Sequence, residues 1–272
     1  TGAPDDPIAS RCANCGALLT GPWCARCGQE AVGRASLRRV AFRQYERIRH
    51  SLLALVFHPG QLTAEFRDGQ RARSISPWRL ALNLVAFFFA LSFITDFRVA
   101  QFAQQDPTGT LEATIAAAAA RNHVSRAEIA ERIDRRLNGV YTLLLSLSVA
   151  CNALLARVMH RRHPAPWSVH GVFALHLVAW TFLLSVLYFL MLRVLGLSPL
   201  MTASNASTEY ANLAALAVVI LLQIAYVLVA FHRVYADTWR AAGVKAVLLV
   251  IAGVFVDNAV LALAFLIALK TV

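Results

Sequence analysis

The first long apolar stretch of the chain separates a polar, basic N-terminal part from a mostly apolar remainder. It runs from Pro77 to Phe97, which is about the length that an α-helix needs to cross ~30 Å of hydrocarbon. Ser76 is a good N-cap, Pro77 suits the first helical turn, and Trp78 suits the level of the lipid headgroups. This pattern predicts that the membrane-embedded part of the protein begins here.

Four further apolar stretches follow, and each is long enough to cross a bilayer with some tilt. Together with the first they predict an all-α membrane domain of about five spans over residues 77–272. The spans are expected at 77–97, 140–159, 169–195, 212–231 and 244–269. Residues 98–138 are polar and Ala-rich, and a capping box at Ser125 leads into apolar residues spaced four apart. We expect an extramembrane helical insertion there.

Residues 34–76 form a basic juxtamembrane segment before the first span. Between residues 36 and 57 apolar side chains recur every three or four positions, whereas Arg39, Arg43 and Arg47 lie on the opposite side of the predicted helix. Such a helix can lie in the membrane surface with its arginines toward anionic lipid headgroups. It can also pack on the membrane domain and leave its basic face in water, and the sequence favours neither arrangement.

Composition and charge agree with a membrane protein and predict its orientation. Of the 272 residues 58% are hydrophobic, the mean hydropathy is +0.56, and the net charge is +11. The cations gather before the first span and in the links at 157–168 and 232–245, whereas the loop at 196–211 has none. This asymmetry predicts a cytoplasmic N-terminus. Because the cations sit beside apolar helices, we expect lipid contacts and no nucleic acid.

Two cysteine motifs mark residues 1–33 as a separate module. Each has the form Cys-x-x-Cys-Gly, and together they supply Cys12, Cys15, Cys24 and Cys27. Four thiolates suffice for a tetrahedral metal site, and the following glycine lets the backbone turn tightly. Because so short a segment cannot bury a useful core, a metal must supply its folding free energy. We expect a structural Cys₄ Zn²⁺ ribbon, with iron, disulfides or redox-active thiols as the alternatives.

Asp257 is the most informative polar residue of the apolar part. It lies near the middle of the fifth predicted span, where a carboxylate is costly unless it is protonated, paired or hydrated. His176 and Gln223, in the third and fourth spans, are candidates to form an ion or proton site with it. The alternative is that Asp257 is a neutral side chain that hydrogen-bonds to a neighbouring helix and holds the two helices together.

The most specific pattern lies between the cysteine module and the first span. From Pro59 to Pro77 it has the form Pro-Gly-x-x-x-x-Glu-Phe-x-x-Gly-x-Arg-x-x-x-x-x-Pro. With paired cysteines before it and several spans after it, the chain resembles the bacterial DUF3667 family. The resemblance rests on Cys12, Cys15, Cys24, Cys27, Gly28, Gln29, Pro59, Gly60, Glu65, Phe66, Gly69, Arg71 and Pro77. That family has no known function, so the resemblance implies a bacterial inner-membrane protein with a metal site and implies no activity.

No catalytic motif stands out in the sequence: it has no phosphate loop, no dinucleotide fingerprint and no recognisable catalytic triad. We therefore expect a non-enzymatic accessory or scaffold subunit of a membrane complex, in contact with lipids and with a protein partner or a second copy. One alternative is a small transporter or channel that uses Asp257. The other is a lipid-modifying enzyme, whose candidates are His160, His163, Arg71 and Arg73.

Overall fold

The computed structural model describes residues 11–12, 14–21, 23–28, 37–94, 110–194 and 206–271. Within these ranges it contains helices α1 (Leu37–Phe57), α2 (Gln61–Arg67), α3 (Pro77–Ile94), α4 (Thr110–Asn122), α5 (Arg126–Met159), α6 (Trp167–Val194), α7 (Ala206–Tyr235) and α8 (Trp239–Lys270). An isolated bridge joins Arg11 to Leu18, and no strand forms in the described residues. The chain divides into two compact units, Thr1–His50 and Ser51–Val272.

Four helices of the second unit are long and apolar enough to cross a membrane. They are Gly139–Met159, Trp167–Tyr188, Ala214–Tyr235 and Trp239–Lys270. The prediction of an all-helical protein with several membrane spans is therefore confirmed for the described residues, but the count of five is not. The predicted first span corresponds to α3, in which Pro77–Leu91 forms a shorter apolar helix, and residues 95–97 lie outside the described part.

The part of the predicted insertion that the structure describes forms α4 and the first turns of α5. The hydroxyl of Ser125 accepts a hydrogen bond from the N–H of Glu128 at 3.1 Å, as an N-cap does. Helix α5 then continues without a break for 34 residues, roughly 51 Å, which exceeds a bilayer crossing. A small core joins its first part to α4 and to the end of α8; its members are Ile115, Ala118, Ala119, Ile129, Ile133, Leu137, Ala264 and Ala268.

The links that follow α5 and α7 lie at the same end of the second unit. His160, after α5, contacts Asp237 between α7 and α8, and His170, at the start of α6, contacts Tyr235 at the end of α7. These four helix ends therefore meet at one end of the bundle. We name it the basic end, because its cations include Arg157, Arg161, Arg162, Arg233, Arg240 and Lys245.

Helix α3 runs in the same direction as α6. The ring of Phe89 lies 6.3 Å from that of Tyr141, which is far from the basic end along α5. It also lies 6.4 Å from the ring of Phe182, in the second half of α6. The N-terminal end of α3 is therefore at the basic end of the bundle.

Candidate functional site

The four predicted metal ligands lie together in the first unit. All four Sγ atoms are within 4.8 Å of one another, and the Cys12–Cys27 and Cys15–Cys24 pairs are each separated by 3.6 Å. A disulfide would bring two sulfurs to about 2.05 Å. Four sulfurs around one tetrahedral ion at ~2.3 Å are instead about 3.8 Å apart. The cluster can therefore hold one metal ion, and its cysteines are not paired as disulfides.

The backbone of each cysteine motif explains why a glycine follows it. Gly16 has a φ of 72° and Gly28 a φ of 71°, in the left-handed region that favours glycine. Their N–H groups return to the carbonyl oxygens of Cys12 and Cys24, at 2.9 and 2.8 Å. A Cβ at either glycine would meet no atom within 4 Å. The requirement for glycine is thus conformational, and it closes two equivalent turns around the sulfurs.

The Cys15 thiol resists ionisation without a cation. The N–H of Ala17 lowers the pKa of the Cys15 thiol, but hydrogen bonds with the thiols of Cys27, Cys24 and Cys12 outweigh this effect and raise it to about 12. A metal ion would reverse the balance, because ligand cysteines bind as thiolates and metal binding releases their protons. With all four positions of a tetrahedron filled by protein, the site would offer no open position for a substrate.

In the second unit Asp257 pairs with a serine of the neighbouring helix. The hydroxyl of Ser148 on α5 donates to Oδ1 of Asp257 on α8 at 2.5 Å. One turn along α5, the amide of Asn152 donates to the carbonyl of Ser148 at 3.0 Å. A Cβ at Gly253 of α8 would lie 3.5 Å from Oδ1 of Asn152, at van der Waals distance. Ser148 and Asn152 are both buried.

The other two residues of the predicted ion site lie in different surroundings. Nε2 of Gln223 donates to Oγ1 of Thr181 at 2.9 Å and so joins α7 to α6, while its Oε1 is buried without a hydrogen-bond partner. The imidazole of His176 is buried beside α2, with Nδ1 2.8 Å from Oγ1 of Thr63. Gln223 and Asp257 face a common cavity, and His176 does not line it.

This cavity has a volume of about 600 Å³ and lies between α3, α5, α6, α7 and α8. We name it the bundle cavity. Most of its walls are apolar, with Phe88 and Phe89 of α3 and Phe182 of α6 among them. Its polar lining includes Ser148, Asn152, Thr181, Gln223, Asp257 and Asn258. Sequence reasoning missed Ser148, although its spacing of four from Asn152 places both on one face of a helix.

A second polar cluster lies at the basic end and centres on Asp237, which sequence reasoning also missed. Lys245 donates to both of its carboxylate oxygens, at 2.8 and 2.9 Å, and Nε2 of His160 is 2.8 Å from Oδ2. Burial raises the pKa of Asp237, but these hydrogen bonds outweigh it and hold the pKa below its usual value. Burial lowers the pKa of His160 more than its contact with Asp237 raises it. The two shifts favour a carboxylate at Asp237 and a neutral imidazole at His160 near pH 7.

The segment that carries the Pro-Gly pattern packs on α6 and α7. Gly60 has a φ of 79° and lies against Ala230 of α7, where a Cβ would be 2.7 Å from the Cα of Ala230. Arg233 donates to the carbonyl of Pro59 at 2.7 Å, and Arg67 donates to the carbonyl of Val234 at 2.5 Å. With the contact between Thr63 and His176, these bonds fix α2 at the basic end. We name residues 59–77 the docking segment.

Two further residues of the pattern contact each other within the docking segment. The guanidinium of Arg71 lies 4.3 Å from the centre of the Phe66 ring, in the geometry of a cation–π contact. Gly69, with a φ of 81°, makes the turn that brings them together. Two candidates for lipid chemistry thus have protein partners, because Arg71 covers Phe66 and His160 contacts Asp237.

The helix that carries the predicted lipid-binding arginines, α1, is exposed in its N-terminal part and buried in its C-terminal turns. Arg43 is exposed and Arg47 half-buried, and the side chain of Arg39 lies outside the described part. In the first unit Phe42 and Tyr45 are exposed by 64% and 58%. At the other end of α1, within the second unit, Leu55 is buried. The C-terminal turns of α1 therefore pack in the core of the second unit, whereas large apolar side chains of its N-terminal part remain uncovered.

Part of the chain matches a known protein family. Residues 46–93 match the model of the family DUF3667, which is described as a protein of unknown function. The predicted resemblance is thus confirmed over the end of α1, the docking segment and α3; the cysteine module lies outside the matched range. No curated protein and no solved structure matches the chain.

Proposed function

We propose that the protein is an accessory or scaffold subunit of a complex in the bacterial inner membrane, with the cysteine module as its docking element. The observation that carries this proposal is a closed four-sulfur cluster whose surroundings expose two large apolar side chains, Leu18 by 67% and Trp23 by 51%. A closed site contributes folding free energy and rigidity and leaves no open position for chemistry. Exposed tryptophan is typical of residues that dominate the free energy of protein association.

The metal in this proposal is Zn²⁺. A tetrahedral set of four sulfurs suits zinc or iron, and zinc is the usual ion of a closed structural site because it has no redox chemistry. Thiolates remain reduced in the bacterial cytoplasm. The cytoplasmic side is in turn favoured by the cations of the basic end, since Lys and Arg accumulate on that side of a membrane protein.

The same proposal includes α3 as a fifth crossing. Its 18 residues extend about 27 Å, close to the ~30 Å of a bilayer core. It begins at the basic end with Trp78, which is exposed and suits the headgroup level. With the basic end in the cytoplasm, five crossings would place the N-terminus in the cytoplasm and the C-terminus outside.

Co-purification after mild solubilisation tests the docking role. We expect a stoichiometric protein partner, or a second copy of the chain, in the wild type. W23A should reduce its recovery tenfold or more and keep the metal, whereas C24S should lose both. W78A is the matched control, because it removes an exposed tryptophan of the second unit. A C24S protein that has lost its metal and still binds the partner fully would overturn the proposal.

A small transporter or channel is the second candidate, and the bundle cavity with Asp257 favours it. In proteoliposomes a gradient-driven cation or proton flux should be lost in D257N while the elution profile of the purified protein stays unchanged. Equal flux through D257N and the wild type would exclude Asp257 from any transport step.

A further inference from the structure

The bundle cavity has the dimensions and walls of a site for a small organic molecule. Its volume of about 600 Å³ falls within the ~300–1,000 Å³ that is usual for ligand pockets, and such pockets are mostly apolar with a few convergent polar groups. Leu145, Leu177 and Phe182 contribute to its apolar walls. A ligand that fills it must therefore be largely apolar.

Almost all side-chain donors that face the bundle cavity already donate to protein atoms. Ser148 donates to Asp257, Gln223 donates to Thr181, and the hydroxyl of Thr181 donates to the carbonyl of Leu177 at 2.9 Å. The phenol of Tyr141 is the remaining hydroxyl among the lining residues. The cavity therefore offers few free hydrogen-bond donors to a ligand.

Two acceptors of the lining residues, in contrast, carry no hydrogen bond. Oε1 of Gln223 is buried and has no partner. Among the described residues, Asp257 receives a hydrogen bond on Oδ1 from Ser148, and its second oxygen accepts none. The described lining residues include no Lys, Arg or His. A carboxylate inside a membrane bundle is costly unless it is paired, so the polar part of the cavity is complementary to a positive charge.

An inorganic cation fits this lining poorly. A hard cation such as Ca²⁺ takes six to eight oxygen ligands, and Mg²⁺ requires six in an octahedron. One carboxylate and a few amide oxygens among leucine and phenylalanine side chains do not provide such a shell. An ammonium group needs three acceptors, and its hydrocarbon part would occupy the apolar walls.

We propose that the bundle cavity binds an apolar organic molecule with one protonated amine, whose ammonium group donates to Asp257 and Gln223. The proposal gives a substrate class to the transport candidate, on which it builds, but binding itself requires no transport. It is also independent of the cysteine module.

The test uses the full chain in nanodiscs and three probes of equal length: octylamine, octanol and octanoate. Calorimetric titration should show octylamine binding at least tenfold more tightly than octanol, and octanoate more weakly still. D257N should lower the affinity for octylamine at least tenfold and leave octanol unchanged. E131Q is the matched control, because it removes an exposed carboxylate on α5 outside the cavity and should change neither affinity.

Two further variants keep the test decisive if D257N does not fold. Q223L removes the unpartnered oxygen but keeps the pair of Asp257 and Ser148, and should weaken octylamine severalfold. S185F fills the cavity and should weaken octylamine and octanol alike. Equal affinities for all three probes, or octylamine binding that neither Q223L nor S185F changes, would overturn the proposal. Octylamine binding by a wild-type protein that shows no flux in proteoliposomes would instead remove the transport role alone.

Discussion

Gly60 and Ala230 bring two distant parts of the chain into backbone contact. A Cβ on Gly60 would stand 2.7 Å from the Cα of Ala230 and 3.0 Å from its carbonyl oxygen. Atoms of the main chain cannot move aside as a flexible side chain can. The docking segment therefore reaches α7 only with glycine at this position, and this position lies within the range that matches the family model.

Replacing Gly60 by alanine should destabilise the second unit more than the same change at Gly69. Both glycines have positive φ values, 79° and 81°, so both variants incur about 1–2 kcal/mol of backbone strain. Only G60A adds overlap with Ala230, which we expect to cost a further 1–3 kcal/mol or so. Thermal unfolding of the two variants in the same detergent measures this difference. Equal melting temperatures would show that α2 does not pack on α7 as described.

Replacing Thr63 by valine should leave the buried His176 without its partner. The loss of a hydrogen bond to a buried polar group costs about 1–3 kcal/mol, and valine has nearly the shape of threonine. We expect a lower melting temperature than in T271V, a control at an exposed threonine that bonds only within its own helix. A melting temperature equal to that of T271V would contradict the pairing.

The cluster at the basic end predicts a loss of stability in acid. The pKa values of His160 and Asp237 are both lower in the fold than their usual values of 6.5 and 3.8. Below pH 6.5 the unfolded chain takes up a proton at His160 before the folded chain does, so the free energy of unfolding decreases. The melting temperature should therefore be level above about pH 7 and fall as the pH decreases below that range.

The variant H160N separates the contribution of His160 to the acid sensitivity from the contributions of other titrating groups. It removes the imidazole and keeps a short polar side chain, so the fall in melting temperature just below pH 6.5 should become shallower than in the wild type. An unchanged slope in H160N would assign the acid sensitivity to other residues.

The uncovered N-terminal part of α1 predicts a dependence on anionic lipid. If Arg43 and Arg47 contact headgroups, hydrogen exchange over residues 41–50 should be slower in nanodiscs with anionic lipid than in zwitterionic ones, because basic residues near the surface gain about 1 kcal/mol each there. The double variant R43Q/R47Q should remove the difference. The same exchange rate of the wild-type helix in both lipids would contradict this contact.

The sequence predicts the cysteine cluster well because the signal is local. Two ligands three positions apart and a glycine after each pair determine the turn and the direction of the sulfurs. The long apolar helices are equally visible, since their length is set by the bilayer. The number of spans depends on α3, whose apolar part over Pro77–Leu91 is shorter than the four longer apolar helices.

The surroundings of Asp257 depend on helix rotation, which the sequence does not specify. His176 and Thr181 are five residues apart on α6, so they point about 140° away from each other. For this reason the structure places Thr181 beside Gln223 and turns His176 toward Thr63. Asp237 escaped prediction because it lies in a short link between α7 and α8, where a carboxylate is usually solvated.

Metal analysis of the purified protein by mass spectrometry tests the proposed role of the cysteine module most directly. We predict one zinc ion per chain in the wild type, none in C24S, and one in C151S, which removes the cysteine that lies outside the cluster on α5. Iron with a visible absorption band, or a zinc content that C24S does not change, would contradict the structural zinc module on which the proposed function rests.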